Sequence, residues 1–196
     1  PSINMPDGPY VMVTGGGGGD GEKLIEWVLR GYEWDKTLPH NALLVFGPFM
    51  NAERQSEYLE RAAALPKVHA ITFDAHIEGL IAHASGLVAM GGYNTFCEIL
   101  SFDKRALIVP RRVPRMEQYI RAARANSLGL VNMLLDDEQL DPEAIATAIR
   151  QLPNQPLPSD VVVPGLLDGL DNVNRLVNLR LNRRKQRSHL RLVEES

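Results

Sequence analysis

One cysteine, Cys97, stands in 196 residues. A lone thiol excludes a disulfide framework and any cysteine-based zinc site. It fits a reducing compartment, and so a cytoplasmic location. No apolar run approaches the ~20 residues needed to cross a bilayer, and no charged-then-apolar leader opens the chain. An initiator methionine is also missing. Pro1-Ser2-Ile3-Asn4 leads almost at once into an apolar run, so the chain is read as a piece of something longer. The five histidines are His40, His69, His76, His83 and His189. His76 and His83 can share a helix face, but no acid or third histidine completes a metal set at helical spacing, and no metal site is expected. No nucleophile elbow anchors a Ser-His-Asp arrangement, and no residue stands out as a general base.

What is present is ordinary in bulk and uneven in charge. Hydrophobic residues make up 44% and charged residues 23%, the balance of a soluble globular chain. The length suits one domain with an appendage. The net charge of −3 conceals an acidic body and a basic end: seven Lys/Arg and no acid lie between Arg175 and Arg191. That segment interleaves leucines with its charges. It is read as a fraying terminal helix, as a contact with anionic lipid, or as a surface that docks on a missing domain. An acidic body would repel a phosphate backbone, which makes nucleic acid the least expected partner.

Strand and helix signals alternate from Tyr10 to Leu152. Apolar, β-rich runs fall at Tyr10–Thr14, Ala42–Phe46, Val68–Phe73, Gly86–Met90, Arg105–Pro110 and Leu128–Leu134. Between them, helical periodicity marks Glu22–Tyr32, Ala52–Ala64, Ile77–Ala84, Tyr93–Leu100 and Met116–Asn126. Asp141-Pro142-Glu143 opens a last helix, with an aspartate cap and proline at its first position. Six apolar strands separated by helices predict an α/β fold, a doubly wound six-stranded parallel sheet with helices on both faces. The first 155 residues form that domain. Prolines at 156, 158 and 164 mark a linker, and Asp171–Arg187 reads as a C-terminal helix.

Ligands of such sheets sit at the carboxyl ends of the strands. Four segments follow strands directly: Gly15–Gly21, Phe73–His76, Gly91–Thr95 and Pro110–Gln118. All four are therefore expected along one edge. Gly16-x-Gly18-x-x-Gly21 matches a dinucleotide fingerprint, but a run of five glycines makes the match nearly automatic. The second strand ends in Phe46-Gly47-Pro48 rather than in the acid that would hold an NAD ribose, and Gly21 is followed by Glu22 rather than by Lys-Ser/Thr, so NAD and a Walker A loop are both disfavoured. Gly91-Gly92 just before a helix start offers close backbone approach and unpaired N–H groups, the elements of an anion site. Glu98 follows about two turns into that helix, at the edge of an apolar face, where a carboxylate needs partners. Arg111, Arg112 and Arg115 precede Glu117-Gln118; arginines suit phosphate, and a carboxylate beside an amide suits adjacent sugar hydroxyls.

Taken in order, the glycine-rich loop, the Phe73 loop, Gly91-Gly92-x-Asn94-Thr95-x-x-Glu98, a strand, Pro110 and Glu117-Gln118 resemble the C-terminal half of GT-B glycosyltransferases. The similarity is to the MurG-type transferases of glycosyltransferase family 28, and it covers roughly Tyr10 to Leu152. It implies a donor-binding domain for a nucleotide diphosphate sugar, UDP-linked in the first instance, with no metal and no further cofactor. By that resemblance Glu98 holds the ribose. Backbone around Gly92, Asn94 and Thr95 meets the diphosphate; from the residues themselves, Gly91 and Arg111 are added to the expected donor site. Gln118 and Glu117 reach the sugar, Phe73 lies near the base, and Gly16, Gly17 and Gly18 face an interdomain cleft. The acceptor and the catalytic residues would belong to an N-terminal half that this chain lacks, and the chain alone is expected to transfer nothing. Three departures are visible: Arg121 where an Asn often follows the glutamine motif, a bulky Tyr93 after the glycines, and a glycine run without Ser or Thr. Two other readings stay open: an epimerase or hydrolase of nucleotide sugars on the same scaffold, and a non-catalytic nucleotide-binding module.

Overall fold

The computed structural model describes residues 5–16, 21–72, 77–136 and 139–161. Six strands form one sheet: β1 (Tyr10–Thr14), β2 (Asn41–Val45), β3 (Val68–Ile71), β4 (Gly86–Ala89), β5 (Ala106–Ile108) and β6 (Asn132–Met133). Six helices alternate with them: α1 (Glu22–Trp34), α2 (Ala52–Ala63), α3 (Ile77–His83), α4 (Tyr93–Ser101), α5 (Glu117–Ser127) and α6 (Pro142–Gln151). The sheet order is β3-β2-β1-β4-β5-β6, and every pairing is parallel. This is the doubly wound, Rossmann-like α/β sheet that the alternating apolar runs predict.

The strands are continuous apolar runs because both faces of a parallel sheet are covered by helices. All five residues of β1 are buried, as are all of β4 and β5. Helix α1 buries Leu24, Ile25, Trp27, Val28, Leu29 and Tyr32 at i, i+3 and i+4 spacing, the stripe a helix presents to a core. Trp27 is fully enclosed, and its indole N–H donates to the Asp141 carbonyl at 2.7 Å. That bond satisfies the polar edge of a buried ring and fixes α1 to the start of α6. At that start the Asp141 carboxylate accepts from the Glu143 N–H with Pro142 beside it, as the Asp-Pro-Glu signal predicts.

Chain order first builds the sheet outward, β1 to β2 to β3, then returns past β1 to lay down β4. The switch point lies between β1 and β4, where Val11–Thr14 pair with Gly86–Ala89. The loops that leave these two strands therefore emerge side by side, the geometry that opens a ligand crevice.

Two expectations differ from the structure. The strand expected over Leu128–Leu134 is only Asn132–Met133. Helix α5 runs on to Ser127, and its closing turn uses the next residues: the Gly129 N–H donates to Asn126 O and the Leu130 N–H to Ala125 O, each at 3.0 Å. Leu130 and Val131 are buried, so their apolar character serves packing rather than pairing. Second, the chain remains packed beyond Gln155. A short 3-10 turn at Pro158–Asp160 is anchored by the Ser159 N–H and hydroxyl, which donate to the Asp103 carboxylate at 2.8 and 2.6 Å. The helix expected at Asp171–Arg187, with the basic segment Arg175–Arg191, lies outside the described residues, as does Phe73 at the end of the third apolar run.

The end of α1 is tied to the last turn of α6 through Asp35, which accepts from the Thr37 hydroxyl and N–H and from Arg150. Those hydrogen bonds, Thr37 first and Arg150 next, hold the Asp35 carboxyl down at about 2. A carboxylate depressed in the folded state contributes stability above its unfolded pKa and loses it as pH falls through the folded value. Urea denaturation of wild type and Asp35→Asn should therefore give a stability difference that is constant above about pH 5 and shrinks toward pH 2. A difference independent of pH would mean that the carboxylate is not held this way.

Candidate functional site

The first wall of the site is the exit from β1. Thr14 is buried at the strand's end, and its hydroxyl accepts from the Gly16 N–H at 3.2 Å. Gly15 and Gly21 touch: a Cβ built on Gly15 would lie 2.3 Å from the Gly21 Cα, and one on Gly21 2.6 Å from the Gly15 Cα. Only glycine at both places lets the chain leave β1 and re-enter α1 through the same point. Gly16 lines the site, whereas Gly17 and Gly18 lie outside the described residues.

The second wall is the turn from β4 into α4. Gly91 sits at φ +76°, and a Cβ there would meet the Ile108 Cγ2 at 2.8 Å. Both observations require glycine, and both are structural. Gly92, the helix N-cap, has nothing within 4 Å of where a Cβ would go. The first helical bond runs from the Phe96 N–H to Gly92 O at 2.9 Å. The N–H groups of Tyr93, Asn94 and Thr95 precede it, at the positive end of the helix. No side chain caps them and no acid occupies the first turn.

Arg111 and Gln118 close the third side. The Arg111 N–H donates to Gln118 Oε1 at 3.3 Å. An N–H needs an oxygen, so this bond sets the amide's orientation and directs its Nε2 hydrogens to other acceptors. Glu117 is exposed, with Oε1 3.8 Å from Arg111 Nη2. Together these walls enclose a cavity of about 320 Å³ formed by Thr14–Gly16, Met90–Thr95, Arg111 and Gln118. A neighbouring cleft of about 380 Å³ shares Met90 and Arg111 and is lined further by Lys23, Trp27, Val113 and Asp136.

The structure thus brings together Gly16, Gly91, Gly92, Asn94, Thr95, Arg111 and Gln118, with Glu117 on the rim. Glu98 is not on the cavity wall: it is half-buried one helical turn beyond Asn94, on the same face of α4. The three arginines of the loop part company. Arg111 lines the cavity, Arg112 donates to the Asp136 carbonyl at 3.2 Å in the neighbouring cleft, and Arg115 is exposed. Three further residues carry the site. Thr14 and Met90 are strand-end positions at the switch point, a signal present in the topology. Arg121 reaches back from α5, and its Nη1 donates to Gly91 O at 2.8 Å.

The crevice thus lies at the switch point of a parallel sheet, edged by a glycine turn, an open helix start and an Arg–Gln pair. The family model for the glycosyltransferase family 28 C-terminal domain matches residues 10–159, and the chain belongs to that family. No curated protein sequence matches it. Among solved structures it is similar to MurG of Acinetobacter baumannii, at 18% identity and TM-score 0.60, over 78% of this chain and 45% of that one. It is also similar to the glycosyltransferase VinC in complex with dTDP, at 22% identity and TM-score 0.55, over 75% and 34%. A third is UGT2 of Phytolacca americana, complexed with UDP-2-fluoro-glucose and pterostilbene, at 18% identity and TM-score 0.56, over 76% and 33%. The matched regions span from a third to less than half of those chains.

The two glycines of the α4 turn should respond differently to alanine. Gly91→Ala adds left-handed strain and a clash with Ile108, and should lower unfolding free energy by about 2 kcal/mol or more. Gly92→Ala meets open space at an N-cap, and should cost less than about 1 kcal/mol. Equal losses in thermal or urea denaturation would contradict the assignment of Gly91 to structure and Gly92 to the cavity.

Proposed function

We propose that this chain is the donor-binding half of a glycosyltransferase that takes its sugar from a nucleotide diphosphate sugar, with UDP the first candidate. The observation that carries this reading is the uncapped start of α4, opening into a cavity whose other walls are the Thr14–Gly16 turn and the Arg111–Gln118 pair. Diphosphate on the N–H groups of Tyr93, Asn94 and Thr95 would meet both unpaired donors and the positive helix end. Arg111 adds a fixed cation at the same cavity. The Gln118 amide, held by the Arg111 N–H, leaves donor hydrogens for sugar hydroxyls, with the Glu117 carboxylate on the rim as an acceptor. Glu98, deeper on the face that Asn94 begins, is assigned to the ribose, which would enter past Asn94.

In such a transfer an acceptor oxygen attacks the anomeric carbon while its bond to the β-phosphate oxygen breaks. Negative charge then grows on the departing diphosphate. The N–H dipoles of the helix start and the Arg111 guanidinium on the same cavity would stabilise that charge, which lowers the barrier. The acceptor and the group that activates it are assigned to another domain, so this chain alone should bind donor and transfer nothing.

Calorimetric titration with UDP, GDP, ADP and NAD tests the reading. Saturable binding of UDP is expected, and Glu98→Ala should weaken it by roughly 1.5–3 kcal/mol, about ten- to 150-fold. Preference for NAD would overturn the family of ligands, and unchanged UDP affinity in Glu98→Ala would remove Glu98 from the site.

A further inference from the structure

Two consecutive glycines form the turn on which the donor reading depends, and glycine is the residue least able to hold a backbone in one conformation. Something outside the turn must select its shape. We infer that Arg121 does so: it is a positioning residue that clamps the start of α4, fixing the peptide between Gly91 and Gly92 and the ring of Tyr93 in one arrangement. This inference rests on the donor reading for its consequence, but not for its geometry.

The geometry has two parts. Arg121 Nη1 donates to Gly91 O at 2.8 Å, a charge-assisted bond between residues 30 apart in sequence. The same guanidinium lies over the Tyr93 ring, with its carbon 5.6 Å from the ring centroid. One half-buried side chain therefore grips both neighbours of the N-cap Gly92. Because the peptide unit is planar and trans, holding its oxygen also fixes the opposed direction of the Gly92 N–H. The left-handed Gly91 is kept in the conformer that starts the helix toward the cavity. Tyr93, an exposed ring under the guanidinium, is kept at the cavity's edge.

Arg121 lies three residues after Gln118 on α5, and residues at that spacing share a helix face. The helix that carries the sugar-side amide thus also carries the clamp on the diphosphate-side turn. The two halves of the donor pocket are held in register by α5, although they come from different loops. A planar guanidinium can bond a carbonyl and stack on a ring together; an ammonium cannot match both.

The test compares UDP with uridine, which lacks the diphosphate, by NMR titration of the wild-type chain, Arg121→Met and Arg121→Lys. Loss of the clamp releases the turn and should weaken UDP about tenfold in Arg121→Met while leaving uridine within about twofold. Arg121→Lys should fall between Met and wild type. Unchanged UDP affinity in Arg121→Met overturns the inference, as does equal weakening of uridine, which would mark a general role in folding. Full wild-type affinity in Arg121→Lys overturns it too, because charge alone would then suffice. Should Arg121→Met not fold, the lysine variant carries the test: UDP weakened severalfold with uridine held is expected, and wild-type affinity for both overturns it. A ligand-free readout separates this inference from the donor reading. The Gly92 amide nitrogen resonance should move in Arg121→Lys if Arg121 holds the Gly91 oxygen, even in a chain that takes no UDP, and should stay in place if it does not.

Discussion

The parallel pairing of β1 with β4 is the contact on which the site depends. Val11–Thr14 and Gly86–Ala89 are far apart in sequence and adjacent in the sheet. Their pairing sets the Thr14–Gly16 turn beside the Gly91–Thr95 turn, and neither turn makes a cavity without the other. Both strands are wholly buried. Each apolar side chain withdrawn from water contributes on the order of 1.5–3 kcal/mol, so the register is held by the core and not by the loops it positions. The loops are free to be rich in glycine and open to solvent because the strands beneath them are neither.

This division explains what could be read from the sequence. The strands at Tyr10–Thr14 and Gly86–Ala89 announce themselves as short apolar runs ended by glycine. The α6 start announces itself through Asp141-Pro142-Glu143. Both are local chemistry, and local chemistry survives folding. The expected strand at Leu128–Leu134 failed for a related reason: burial makes Leu130 and Val131 apolar whether or not they pair, and nothing local reveals that α5 takes the preceding residues to close its final turn.

The site was legible by position and less so by contact. Which strand-end loops converge follows from the alternation of elements. Which of Arg111, Arg112 and Arg115 faces the cavity does not, because Arg112 is drawn aside by the Asp136 carbonyl, a partner from another loop. Glu98 reads correctly as a carboxylate at the edge of a buried face, yet the cavity wall stops one turn short of it. Thr14 and Arg121 carry no local motif: the first matters because of where β1 ends, the second because of the Gly91 carbonyl in the turn between β4 and α4.

The contact between Gly15 and Gly21 has a consequence for variation in this chain. Gly15 and Gly21 are already within van der Waals reach of each other, so the exit of β1 and the entry of α1 are set against each other at that contact. The number of residues joining Gly16 to Gly21 is therefore not dictated by the distance between β1 and α1. Adding or removing residues there changes loop-closure entropy only logarithmically, about 0.6 kcal/mol per doubling, and leaves the entry of α1 where it was. Whatever faces this edge of the sheet can therefore be matched by changing the number of residues there while the Gly15–Gly21 contact stays in place.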